Sequence, residues 1–174
     1  MQIRQLRDSD DRSQFDCGST ALNAHIREFA GQNQRRRASV TFVALEGDAN
    51  TKVVGFVTVC GGTILRGVLP ADLSRGFSQQ PQPTLVVARL GVDVTHQGQG
   101  IGSGLLVRAL RQEIAQAGAS GCIGVEVEPK EGKERFYEGR GFMRLETADQ
   151  DAPVRMFLPI SAIWDAFQGD PQAS

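Results

Sequence analysis

The sequence predicts an α/β domain, and three observations predict it. Segments with strand patterning alternate with segments whose apolar residues recur every three or four positions. The most apolar segment, residues 84–94, carries Leu85, Val86, Val87, Leu90, Val92 and Val94, and so reads as a central strand covered on both faces. It runs through a glycine-rich turn into the most regular helical pattern, residues 101–117, where Leu105, Leu106, Ala109, Leu110 and Ile114 form one stripe. The 174 residues fit a single domain over residues 1–168 with a frayed tail at 169–174.

Taken in order, residues 2–6 read as a short first strand. Residues 19–34 read as a helix, because Leu22, Ile26, Phe29 and Ala30 share one buried face and Ser19 or Thr20 supplies an N-cap. Residues 40–45 and 53–59 read as two strands of a hairpin, joined by a turn over 46–52. Residues 61–83 are rich in glycine and proline and read as a loop with one short helix, its last five residues extended ahead of Pro83. Gly118 is placed to end the helix over 101–117. A strand over 122–127, a short helix over 132–140 stopped by Gly141, and a closing hairpin of 142–145 with 154–158 follow. A last turn of helix lies over 161–167.

Composition removes several function classes. Apolar residues make up 40% and charged residues 22%, a globular balance, and the net charge of −1 supplies no general field for nucleic acid. A local basic patch is still compatible with it. Cys17, Cys60 and Cys122 are odd in number and far apart, and His25 and His96 are the only imidazoles, so neither a disulfide framework nor a metal site is expected. The first residues carry no apolar core of a signal peptide, and no stretch is long and apolar enough to span a membrane, which makes a cytoplasmic protein the expectation.

The turn Thr95-His96-Gln97-Gly98-Gln99-Gly100-Ile101-Gly102-Ser103 carries the chemistry. Glycines at its strand-to-helix corner let backbone N–H groups approach a ligand closely, and the helix N-terminus adds a positive dipole end. Together these can hold a pyrophosphate without a lysine. No Gly-Lys-Ser/Thr follows, so this is not a P-loop, and glycines spaced by two do not make the G-x-G-x-x-G of a dinucleotide fold.

Gln97-Gly98-Gln99-Gly100-Ile101-Gly102 resembles the Gln/Arg-x-x-Gly-x-Gly/Ala signature of the GNAT acetyltransferases. The resemblance spans roughly residues 2–158. It implies the GNAT acyl-CoA N-acyltransferase fold, a mixed central sheet with a splayed central strand flanked by helices. It implies acetyl-CoA as acetyl donor, held at Gln97, Gly98, Gln99, Gly100, Ile101, Gly102 and Ser103, and along Leu90, Gly91, Val92 and Val94 through the strand backbone. Phe136-Tyr137-Glu138-Gly139-Arg140-Gly141-Phe142 is similar to the family's Phe-Tyr-x-x-x-Gly-Phe, which places Phe136 at the cofactor and Tyr137 near the acetyl sulfur. A thiolate leaving group needs a proton, and a phenol with a pKa of about 10 holds one at neutral pH, so Tyr137 is the expected general acid. No clear base emerges. Glu126 and Glu128 are candidates that alternation puts on one face, and solvent is the other option.

A narrower resemblance is to the GNAT-type toxins of bacterial toxin–antitoxin pairs. It rests on Phe15-Asp16-Cys17-Gly18 with Ala21-Leu22-Asn23, on Ala30-Gly31-Gln32-Asn33-Gln34, on Leu69-Pro70, and on Ala88-Arg89-Leu90-Gly91-Val92-Asp93, where Gly91 replaces the family's alanine. It implies acetylation of the α-amine of an aminoacyl-tRNA, arrest of translation, and a ribbon-helix-helix antitoxin as partner, and it leaves room for a homodimer. Arg35, Arg36, Arg37 and Arg89 are the candidate tRNA contacts, with Arg4, Arg7 and Arg27 nearby. A solvated helix end accounts for the cluster equally well. Two alternatives stay open: a GNAT enzyme for a small amine or a protein N-terminus, and a GNAT-like module that binds a partner without catalysis.

Overall fold

The computed structural model describes residues 1–47, 51–117, 121–146 and 151–168. In chain order the strands are β1 (Gln2–Gln5), β2 (Val40–Glu46), β3 (Lys52–Ile64), β4 (Gln82–Val92), β5 (Gly124–Val127), β6 (Met143–Arg144) and β7 (Met156–Pro159). The helices are α1 (Thr20–Ala24), continued by a π turn (His25–Phe29) into α2 (Ala30–Arg35), then α3 (Ala71–Ser74), α4 (Ile101–Ala117), α5 (Glu134–Glu138) and α6 (Ile160–Gln168). The strands form one mixed seven-stranded sheet in the order β1-β2-β3-β4-β5-β7-β6. The chain divides into two compact units, Met1–Cys60 with Val87–Ala117 and Gly61–Val86 with Gly118–Ser174.

The first unit is built on the antiparallel β1–β2 and β2–β3 pairs. Its core joins Leu6, Phe15, Ile26, Ala30, Val43, Leu45, Val53 and Phe56. All five residues of the α4 stripe are buried, as the sequence predicts. Helix and sheet approach closely at Gly55, where an added Cβ would sit 2.9 Å from Leu105. Gly91 has a similar cause: a Cβ there would lie 2.9 Å from the Phe56 ring, which packs edge-on against Phe15. This accounts for glycine at a position where the resemblance leads one to expect alanine.

The second unit packs Ile64, Leu69, Leu145 and Phe157 together, with β7 antiparallel to both β5 and β6. The closing hairpin is present in the shorter form Met143–Arg144 with Met156–Pro159. Gly124 lets β5 meet β7, since a Cβ there would fall 2.3 Å from the Phe157 ring.

Several elements differ from expectation. β3 runs on to Ile64 through residues read as loop. A Cβ on Gly62 would fall 2.5 Å from Val86, so this glycine serves close approach within a sheet rather than a turn. β4 ends at Val92, and its Leu85, Val86, Leu90 and Val92 are only half-buried, so it is not covered on both faces. Ser19 makes no capping bond. Asp16 and Asn23 hold the helix entry instead: Asn23 Oδ1 accepts the Cys17 N–H, and Asp16 Oδ1 accepts the Gly18 N–H and the Asn23 amide.

The helix expected over 19–34 contains the π turn, in which the Ala30 N–H bonds back five residues to the His25 carbonyl. The extra residue rotates Phe29 out of the core to 49% exposure and turns His25 in. α6 has nine residues rather than a single turn. Gly118, the 48–50 part of the first hairpin's turn and the tail at 169–174 lie outside the described residues. Among the described residues no helix is long and apolar enough to cross a membrane.

Candidate active site

Past Val92 the chain turns through a 3-10 segment (Val94–His96) capped by Asp93. Asp93 Oδ1 accepts both the N–H and the hydroxyl of Thr95, at 3.0 and 2.6 Å, while Oδ2 accepts the Asp16 N–H at 3.0 Å. Burial would raise the Asp93 pKa, but these bonds outweigh it and hold the carboxyl below its ordinary value. His96 reaches the end of β2, its Nε2 3.1 Å from Glu46 Oε1, and its Nδ1 lies 2.8 Å from the Thr95 hydroxyl. The His96 bond is the main cause of a lowered Glu46 pKa.

The glycine turn follows directly. Gly98 and Gly100 adopt φ of +77° and +79°, the left-handed region that side chains disfavour. A Cβ on either would meet nothing within 4 Å. These glycines therefore answer to backbone shape and to space beside the turn, not to packing. The first-turn N–H groups of α4 point away from the helix body, toward the glycine turn. Open space, aligned donors and a helix dipole fit a pyrophosphate. Gln97 turns its amide back to the Val92 carbonyl at 3.0 Å, and Ile101 buries its side chain in the core, so Ile101 offers a ligand only its backbone. Val94, expected on the strand, lies in the 3-10 turn and is half exposed. Leu90, Gly91 and Val92 are in β4 as expected.

In the second unit Tyr137 lies on α5 and is buried, with Phe136 and Phe142 set edge-on to its ring at 5.0 and 5.5 Å. Burial pushes its phenol up to about 12, against a small opposing effect of Arg140, so the group holds its proton throughout the neutral range. Arg140 stacks 3.7 Å over the Phe136 ring and donates to the Phe136 carbonyl. Gly141, at φ +84°, turns the chain so that the Phe142 N–H returns to the Tyr137 carbonyl.

The acid–base candidates separate. Glu126 is buried, with Oε1 accepting the Thr84 hydroxyl at 2.6 Å and Oε2 accepting from Arg155. Glu128 lies past the strand end and is exposed, so the two do not share a buried face. The sequence marks His25 only as an imidazole too isolated to build a metal site. It is buried, its Nε2 3.1 Å from the Thr58 hydroxyl, which bonds on to Thr41. Burial and the nearby Arg89 lower its pKa to about 4. Among the described residues no group of three or more His, Cys, Asp or Glu side chains is arranged to hold a metal.

The basic candidates also divide. Arg4 makes a bidentate pair with buried Asp10, at 2.6 and 2.9 Å, and Arg27 donates to the Phe15 carbonyl, so both are tied to the fold. Arg35 pairs with Asp8 at 2.7 Å. Arg36, Arg37 and Arg89 are exposed.

A family model described as "Acetyltransferase (GNAT) domain" matches residues 37–144. The chain belongs to the GNAT acetyltransferases. A tRNA-acetylating toxin of Mycobacterium tuberculosis is 30% identical over 124 residues, 71% of this chain and 72% of that protein. The solved structure of AtaT complexed with acetyl-methionyl-tRNAfMet matches with a TM-score of 0.85 and 26% identity, over 95% of this chain and 98% of that one. A tyrosine-to-phenylalanine variant of the AtaT toxin, bound to the C-terminus of the antitoxin AtaR and acetyl-CoA, matches with a TM-score of 0.77 and 25% identity, over 95% and 97%.

Proposed function

We propose that this chain transfers an acetyl group from acetyl-CoA to the α-amine of an aminoacyl-tRNA, and so acts as a toxin that blocks translation. The observation that carries the reading is the turn at Gly98 and Gly100, which combines left-handed backbone and open space directly ahead of the N-terminus of α4. The tRNA acceptor is supported by the similar proteins, a tRNA-acetylating toxin and AtaT complexed with acetyl-methionyl-tRNAfMet.

In this reading the backbone of residues 97–103 holds the pyrophosphate and β4 presents its last peptide groups to the pantetheine amides. Acetyl-CoA supplies an acyl thioester. The acceptor nitrogen forms the new C–N bond as the C–S bond breaks, Tyr137 gives its phenolic proton to the departing sulfur, and the proton shed by the acylated nitrogen passes through solvent to restore the phenol. Both oxygens of Glu126 are engaged, so solvent removes the ammonium proton beforehand. That suits an α-amine with a pKa near 8 better than a lysine at about 10.4. The same resemblance supports a cytoplasmic protein neutralised by a ribbon-helix-helix antitoxin. An antitoxin C-terminus is the partner in the similar AtaT structure.

The test is incubation with labelled acetyl-CoA in a translation extract. Label in deacylatable aminoacyl-tRNA, with loss of translation, is expected. Label in a polyamine or protein N-terminus instead selects the small-amine or N-terminal reading, and no label in any amine selects a binding module.

A further inference from the structure

Two residues of one helical segment stand where local physics disfavours them. Phe29 is turned out to 49% exposure by the π turn, although the surrounding pattern would bury it. Arg37 is, among the described residues, the one non-glycine with positive φ, at 58°. Its N–H bonds to the Gln34 carbonyl at 3.0 Å and the Ala38 N–H to the Asn33 carbonyl at 2.9 Å. That is the closing motif of a helix, in which its position normally takes glycine. Local rules broken twice within nine residues point to a function that uses the side chains so placed.

The two belong to one surface. From Phe29, residues Gln32, Asn33 and Arg36 lie three, four and seven positions on, and so share a helical face that ends at Arg37. Arg35 is held aside by Asp8. Neither Arg36 nor Arg37 has an acidic partner within ion-pair distance among the described residues. The face therefore offers an exposed aromatic ring, side-chain amides and two unneutralised guanidinium groups. An apolar partner would leave those cations desolvated and unpaired. A polyanion with unstacked rings satisfies all three kinds of group.

We infer that Phe29, Gln32, Asn33, Arg36 and Arg37 form a docking face for a single-stranded RNA segment, with one base stacked on Phe29 and phosphates on the two arginines. The inference rests on the RNA acceptor proposed above. Base stacking on an aromatic is sequence-tolerant. The face therefore contributes affinity and register rather than a choice among tRNAs.

The experiment measures binding of a fluorescein-labelled RNA octamer and of total charged tRNA across a salt series, alongside thermal unfolding. Phe29→Ala and Phe29→Leu should each weaken both by about tenfold, while Phe29→Trp keeps parental affinity. Arg37→Gly is the sharper arm. It relieves the backbone, so the unfolding midpoint should rise, yet RNA binding should weaken and the salt slope fall by about one unit. If Phe29→Ala and Phe29→Leu bind as the parent does, or Arg37→Gly raises the midpoint without touching affinity or slope, the face is not an RNA site. Should the parent acetylate charged tRNA while every variant matches it, only this inference fails. Should the parent neither bind nor acetylate charged tRNA, the acceptor reading fails and takes this face with it.

Discussion

Asp93 and Asp16, 77 positions apart, clasp each other: Asp93 Oδ2 accepts the Asp16 N–H at 3.0 Å, and the Val94 N–H returns to the Asp16 carbonyl at 2.8 Å. Two sequence passages that resemble the toxin family separately are thus one structural unit. The carboxylate that closes it also caps the turn leading into the glycine loop. The loop's starting point is therefore set by the segment that opens the first helix.

Asp93→Ala should destabilise the protein by about 1–3 kcal/mol, since it removes the acceptor of the Asp16 and Thr95 N–H groups, bonds worth roughly 0.5–1.5 kcal/mol each. Asp93→Asn, which keeps an acceptor oxygen, should lose less. Urea unfolding of the two variants measures the difference. Equal losses would show that the turn needs both carboxylate oxygens.

Gly100→Val should abolish measurable acetyl-CoA binding in calorimetry while costing the fold only about 1–3 kcal/mol, the usual strain of a side chain at positive φ. No protein atom lies within 4 Å of the new Cβ, so the loss would come from the ligand's space and the distorted turn. Normal binding by this variant would place the cofactor elsewhere.

Tyr137→Phe should leave acetyl-CoA affinity intact and lower turnover by roughly 10²–10⁴-fold. Because burial pushes the phenol up to about 12, the parent's rate should not decline between about pH 8 and 10. A fall centred near pH 9 would assign the proton to another group.

His25 makes stability acid-sensitive. Its pKa is lowered from 6.5 to about 4 by burial and by Arg89. The unfolded chain then binds a proton first as pH falls, so this stabilisation is complete above about 6.5 and is lost on the way down to about 4. His25→Gln should flatten that part of a urea-midpoint curve measured against pH. An unchanged curve would show that other groups govern the acid limb.

The glycine turn and the α4 stripe are legible from sequence because each depends on local rules: backbone freedom without a Cβ, and helical period. Long-range partners are not. Alternation says nothing of whether Glu126 meets Thr84 and Arg155, and no spacing announces that Asp93 finds Asp16 or that His96 finds Glu46. Asp93 did leave a faint local mark as a cap two residues before Thr95. Phe29 shows the limit most clearly. Its position in an α-helical repeat predicts burial, and a single inserted residue in a π turn reverses that. Likewise three consecutive arginines read as one patch, yet Asp8 claims Arg35, and only the helix end turns Arg37 into the left-handed region. Period and composition settle what a residue prefers, whereas packing partners distant in sequence decide which preference is satisfied.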